Sequence, residues 1–85
     1  MKVEFHRTFV KQYDRLPVKV QLRFKERLKL FVADNRQEPL RDHPLTGEWL
    51  GHRSINVTGD FRAIYKLVDE TAVFAAIGSH SQLYG

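Results

Sequence analysis

The sequence contains no cysteine. That removes disulfides, thiolate zinc sites, iron–sulfur clusters and cysteine nucleophiles together. A small domain without covalent staples suits a reducing compartment. No apolar run approaches the roughly 18 residues that a membrane helix needs. The opening MKVEFHRTFV breaks its apolar residues with Lys2, Glu4, His6 and Arg7, so it carries no signal-peptide core, and the expected address is the cytoplasm. Repeats, low-complexity tracts and linkers are missing too. What remains is 85 residues, 42% hydrophobic and 28% charged, the balance of a globular chain and the length of one domain, residues 1–85. A chain this short is expected to build a thin core of two layers.

The charge is unevenly spread. Residues 1–34 carry nine Lys and Arg against four Asp and Glu, whereas residues 35–85 carry five against six. With a pI near 9.7, the basic first half points to a polyanionic partner, nucleic acid above all. A solubilising surface is the plain alternative.

Hydrophobic period gives the element order. Residues 2–5 alternate as a short strand. Phe9, Tyr13 and Leu16 recur at helical spacing until Pro17. From Val18 to Ala33 a second helix places Val20, Phe24, Leu28 and Val32 on one stripe, with Phe31 beside it. Lys19, Arg23 and Arg27 form an i, i+4 row on another face; like charges at this spacing repel slightly. Residues 35–51 show no usable period, and so long a connection is often functional. Beyond His52 the period is two. Strands around Ile55–Val57, Phe61–Val68 and Ala72–Ile77 are separated by turns at Thr58-Gly59-Asp60 and Asp69-Glu70. The expected architecture is α+β, a two-layer fold of one N-terminal strand, two helices and then an antiparallel strand meander.

Turn lengths set the register. Pairing Val57 with Phe61 puts Asn56 opposite Arg62 on the face away from the helices. A three-residue loop at 69–71 pairs Val68 with Ala72, Arg62 with Gly78 and Asp60 with His80; a two-residue loop shifts each pair by one position. Asn56, Asp60, Arg62 and His80 then gather at one end of an open sheet face, with His43 at its rim. This set suits a phosphodiester. Histidine takes or gives a proton near neutral pH, and arginine holds the extra charge on phosphorus in the transition state. With the 2′-hydroxyl of RNA as nucleophile, neither metal nor cofactor is needed. Each member also has a plain role: a surface charge for Arg62, a turn residue for Asp60, a surface histidine for His80. Trp49 reads as a plug under the long loop, and Tyr84 as a terminal aromatic able to stack on a base. His43, His52, His80 and Asp42 include no HxxxH or HxH pair, a poor pattern for zinc.

Four blocks carry a resemblance: Asp42-His43-Pro44-Leu45-Thr46-Gly47-Glu48-Trp49, Gly51-His52-Arg53, Asp60-Phe61-Arg62-Ala63-Ile64-Tyr65-Lys66, and Gly78-Ser79-His80-Ser81-Gln82-Leu83-Tyr84-Gly85. Together they resemble the RelE/ParE toxin superfamily, and within it the YafQ-type mRNA interferases. The resemblance implies a RelE-like fold and a ribosome-dependent endoribonuclease that cuts mRNA in the decoding site and is silenced by a cognate antitoxin. It marks His43, Asp60, His80 and Tyr84 as functional positions and Arg62 as a phosphate-stabilising arginine. Arg53 is implied as a further RNA contact. The basic first half matches the family only in character, and Lys19, Arg23, Arg27 and Asn56 are RNA-binding candidates from their own charge and hydrogen-bonding capacity, with a solvated face as the alternative for the helical row. Asn56 stands where YafQ-type toxins carry another histidine; it can hydrogen-bond a phosphate but cannot titrate near neutral pH. A gyrase-binding toxin of the ParE kind and a catalytically weak RNA- or antitoxin-binding module are the alternatives.

Overall fold

Alternating apolar residues make a five-stranded sheet, and two helical stripes cover one side of it. In the computed structural model, which describes residues 1–85, the elements are β1 (Lys2–Phe5), α1 (Arg7–Asp14), α2 (Val18–Ala33), β2 (His43–Pro44), β3 (Arg53–Asn56), β4 (Phe61–Val68), β5 (Thr71–Ser79) and α3 (His80–Tyr84). The strands lie in the order β1-β5-β4-β3-β2. β1 runs parallel to β5, and every other pair is antiparallel. The expected α+β class and element order are both present.

His6 starts α1 by accepting the Thr8 N–H on its Nδ1 at 3.1 Å, a side-chain cap for an otherwise unpaired donor. Phe9 from α1, and Val20, Phe24 and Phe31 from α2, pack on Ile55, Val57, Ala63, Tyr65, Phe74 and Ile77 of the sheet. The expected stripe needs one correction. Val32 is 44% exposed, while Phe31 is fully buried. A row of i, i+4 residues drifts around a helix of 3.6 residues per turn, so by the third step the core side has passed to Phe31. Arg27 falls near the same line. It is half-buried and donates from Nε to the Val57 carbonyl at 3.4 Å.

The long connection is not structureless. It holds single 3₁₀ turns at Glu38–Leu40 and Gly47–Trp49, with β2 between them. The face opposite α1 and α2 is also less open than expected. Leu45, Trp49 and Leu83 pack over Ile64 and Ala76, and the Trp49 indole N–H donates to the Leu83 carbonyl at 3.1 Å. Ile64 and Ala76 are apolar side chains on that face and require cover. The expectation of Trp49 as a plug holds.

Across the β4–β5 hairpin the turn has two residues, with Asp69 in the left-handed region at φ 56°, and Val68 pairs with Thr71. Further along, Tyr65 pairs with Phe74 but Ile64 with Ala76, so Ala75 is an extra residue. This bulge restores the register, and Arg62 faces Gly78 as counted. It also flips the alternation of β5, which lets Phe74 and Ile77 both enter the main core.

Candidate functional site

The sheet end beyond the covered patch carries the row Asn56–Arg62–Gly78, one residue from each of β3, β4 and β5. Cross-strand partners share a face, so Asn56 and Arg62 point together, away from the α1–α2 layer. The neighbouring row on the same face is His43–Ser54–Ile64–Ala76. His43 therefore belongs to this face, one row back, at the β2 edge. Three strand spacings, about 14 Å, separate the backbone at His43 from β5.

Gly78 and the residues after it aim His80. Ser79 caps α3: its hydroxyl accepts the Gln82 N–H at 3.2 Å, and the Gln82 side-chain Oε1 accepts the Ser79 N–H at 2.8 Å. A Cβ at position 78 would stand 2.9 Å from Gln82 Oε1, so glycine is what lets this reciprocal cap close against the strand. The His80 N–H donates to the Asp60 carbonyl at 3.0 Å, which joins the turn to the helix. The His80 ring is exposed and lies 4.7 Å from the Tyr84 ring, one helical turn on. Asp60 is exposed beside them. Asn56, Asp60, Arg62 and His80 thus meet at the end the hairpin count gave them, and α3 adds Tyr84 beside His80.

Arg62 is held in advance. Its Nη1 donates to the carbonyls of Thr58 at 2.9 Å and Phe61 at 3.1 Å, and no carboxylate pairs with it. A half-buried cation fixed by carbonyls keeps its charge free for an anion. On the other side of the Thr58-Gly59 turn is a groove of about 310 Å³ lined by Lys19, Arg23, Arg27, Asn56, Thr58 and Gly59. Lys19 and Arg27 have no ion-pair partner, and Arg23 has a loose exposed one, Glu26 at 3.6 Å. Asn56 is the residue shared between the basic groove and the Arg62 row.

Arg53 does not join them. It pairs with Tyr65 on the helix-side face, where its Nε donates to Asp42 at 2.7 Å. Asp42 also accepts from Asn35 Nδ2 at 3.0 Å and from the Tyr65 hydroxyl. Burial and then the Asp42 hydrogen bond push the Tyr65 phenol well above its ordinary range, and the same carboxylate holds Arg53 more firmly protonated. This buried hub escaped the sequence, which offered Asp42 only as a possible metal ligand. No three His, Asp or Glu side chains converge anywhere in the structure.

Comparison with known proteins decides the family. The family model described as "Bacterial toxin of type II toxin-antitoxin system, YafQ" matches residues 1–85. The chain belongs to the YafQ family. Among curated proteins, the mRNA interferase toxin YafQ of Escherichia coli is 44% identical over 45 residues, 53% of this chain and 49% of that protein. The aligned stretch is thus about half of that relative's length. A crystal structure of YafQ from Escherichia coli superposes with a TM-score of 0.84 at 26% identity, covering 99% of this chain and 98% of that one. The YafQ in a solved DinJ-YafQ toxin-antitoxin complex from Escherichia coli gives a TM-score of 0.80 at 28% identity, covering 99% and 97%. The YafQ fold accordingly extends from β1 to α3, including the basic first half, which lies outside the four blocks that carry the sequence resemblance.

Proposed function

We propose that this YafQ-family chain is the toxin of a type II toxin–antitoxin pair and acts as a ribosome-dependent mRNA endoribonuclease in the cytoplasm. The observation that carries the proposal is the shared sheet face holding His43, Asn56 and Arg62, with Asp60 and His80 joined at its end.

The reaction is a transfer within the RNA. His43 takes the proton of a 2′-hydroxyl, whose oxygen attacks the adjacent phosphorus. The bond from phosphorus to the 5′-oxygen breaks, His80 gives that oxygen a proton, and a 2′,3′-cyclic phosphate remains. Proton transfer by a positioned side chain contributes about 10²–10⁴ in rate. Arg62 moves no proton; it meets the charge that builds on the phosphoryl oxygens. Asn56 hydrogen-bonds the same phosphate or its neighbour, Asp60 orders the turn beside His80, and Tyr84 offers its ring, with the His80 ring against it, as a stacking surface for a base. Lys19, Arg23 and Arg27 bind RNA phosphates of the ribosome. The exposed part of Arg53, whose side chain is 36% accessible, makes a further RNA contact.

The partner that silences the toxin is a cognate antitoxin whose acidic segment meets the basic rows of α2, with faster association at low salt. Primer extension on mRNA in a translating extract tests the activity. Cleavage that requires ribosomes and survives a chelator dose leaving ribosomes intact is the expected result. No cleavage, or cleavage lost to that dose, refutes the mechanism.

A further inference from the structure

His43 stands on a weak support. β2 has two residues, lies at the sheet edge and includes Pro44, which has no N–H to donate to the ladder. An exposed imidazole on so short a strand has no reason to hold one orientation. Its neighbours supply one.

Asp42, one residue earlier, turns to the opposite side of the chain, as successive strand residues do. Its side chain is 3% exposed. It is gripped from three places in the sequence: Asn35 after α2, Arg53 on β3 and Tyr65 on β4. On the other side of Asp42, Arg41 sits in the left-handed region at φ 46°, a conformation a non-glycine residue keeps only when its surroundings impose it. In that conformation the Arg41 carbonyl lies 2.8 Å from His43 Nδ1. A carbonyl only accepts, so Nδ1 carries the hydrogen. Nε2 is then the basic nitrogen of the neutral ring.

We infer that Asp42 is a positioning residue for the proton-transfer step. Anchored in the core, it holds the backbone of residues 41–43 so that the Arg41 carbonyl selects the Nδ1–H form of His43 and leaves Nε2 as the base. Asp42 touches no RNA; it acts through His43, and the inference rests on the proton-accepting role proposed for that residue.

The test reads the ring directly. ¹⁵N NMR of the imidazoles in the full chain, above the histidine titration, should show His43 mainly as Nδ1–H. Asp42→Asn keeps the volume but loses the ionic bond to Arg53; Tyr65→Phe keeps the ring in the core but removes one donor, and serves if Asp42→Asn does not fold. Each folded variant should shift His43 toward Nε2–H. Single-turnover cleavage at saturating programmed ribosomes should fall, by less than the ~10²–10⁴ that a positioned proton acceptor supplies. An unmoved Nδ1–H population in the folded variants overturns the positioning role whatever the rate does. A His43→Ala variant that cleaves at the wild-type rate overturns instead the proton-accepting role, since the tautomer measurement does not depend on activity.

Discussion

Replacing Arg62 by alanine separates chemistry from stability. The substitution removes two hydrogen bonds from Nη1, to Thr58 and Phe61. The Phe61 carbonyl keeps two other donors, the N–H groups of Val57 at 2.9 Å and Thr58 at 3.2 Å. The Thr58 carbonyl borders the exposed Gly59-Asp60 turn, where water takes the vacated place. The structural loss is therefore near the low end for a charged donor, about 1.5 kcal/mol, or a melting point lower by about 6–12 °C. A chain of this length has about 4–13 kcal/mol of stability, so Arg62→Ala remains folded at the assay temperature. The catalytic loss is expected to be larger, about 2.7–4 kcal/mol or 10²–10³ in rate, as for other preorganised charge stabilisers. Arg62→Lys should regain part of it, because a point charge returns without the planar fork. The assay is single-turnover cleavage of mRNA on programmed ribosomes, with binding and thermal melts measured on the same preparations. A folded, ribosome-bound Arg62→Ala protein that cleaves within threefold of wild type would refute the charge-stabilising role. A melting point lowered by more than about 20 °C would refute the packing account.

Three further outcomes are expected. His80→Ala should slow single-turnover cleavage by about 10²–10⁴ without loosening ribosome binding, and Asn56→Ala should cost less than either His80→Ala or Arg62→Ala, because it removes only a hydrogen bond; equal losses would argue against this division. Changing Lys19, Arg23 and Arg27 together to alanine should weaken ribosome binding and flatten its log–log salt slope by about 2, at ~0.7 per single-strand phosphate contact, while the positions cut in mRNA stay the same. The Tyr65 phenol is raised by burial and by Asp42, so the folded state binds a proton that the unfolded state releases near pH 10. Its contribution is complete below that pH and is lost as pH rises toward the folded value, at up to about 1.4 kcal/mol per pH unit. Denaturant melts above pH 10 should show this decline in wild type and a shallower one in Tyr65→Phe.

Local pattern carried much of the architecture. Period-two runs located β3, β4 and β5, and the aromatic spacing located α1 and α2. The site end of the sheet was legible because two local errors cancel: the two-residue turn at Asp69-Glu70 shifts the register one way and the Ala75 bulge shifts it back. Neither is visible in composition, since nothing about Ala75 marks it as an extra residue. α3 had a signature that went unused, the Ser79…Gln82 capping box. The pairing of β1 with β5 lies beyond any local pattern, because about seventy residues separate the partners. The Asp42 hub was hidden for the same reason. Its partners are 7, 11 and 23 residues away, and a sequence does not show which of its arginines will be drawn inward. Nothing local marks Arg53 as the arginine that pairs with Asp42.

The parallel pairing of the first strand with the last bears on how the protein is made. β5 lies between β1 and β4 and supplies Phe74 and Ile77 to the core that α1 and α2 cover. A nascent chain stopped before Thr71 has an N-terminal strand with no partner, and its two amphipathic helices have only the residues of β3, β4 and their turn to cover. Such contacts between distant residues form late and slowly, because a long loop must close first. His80 and the cap that aims it come after β5. The end of the sheet that carries Asn56, Arg62 and His80 is therefore assembled only once β5 is in place.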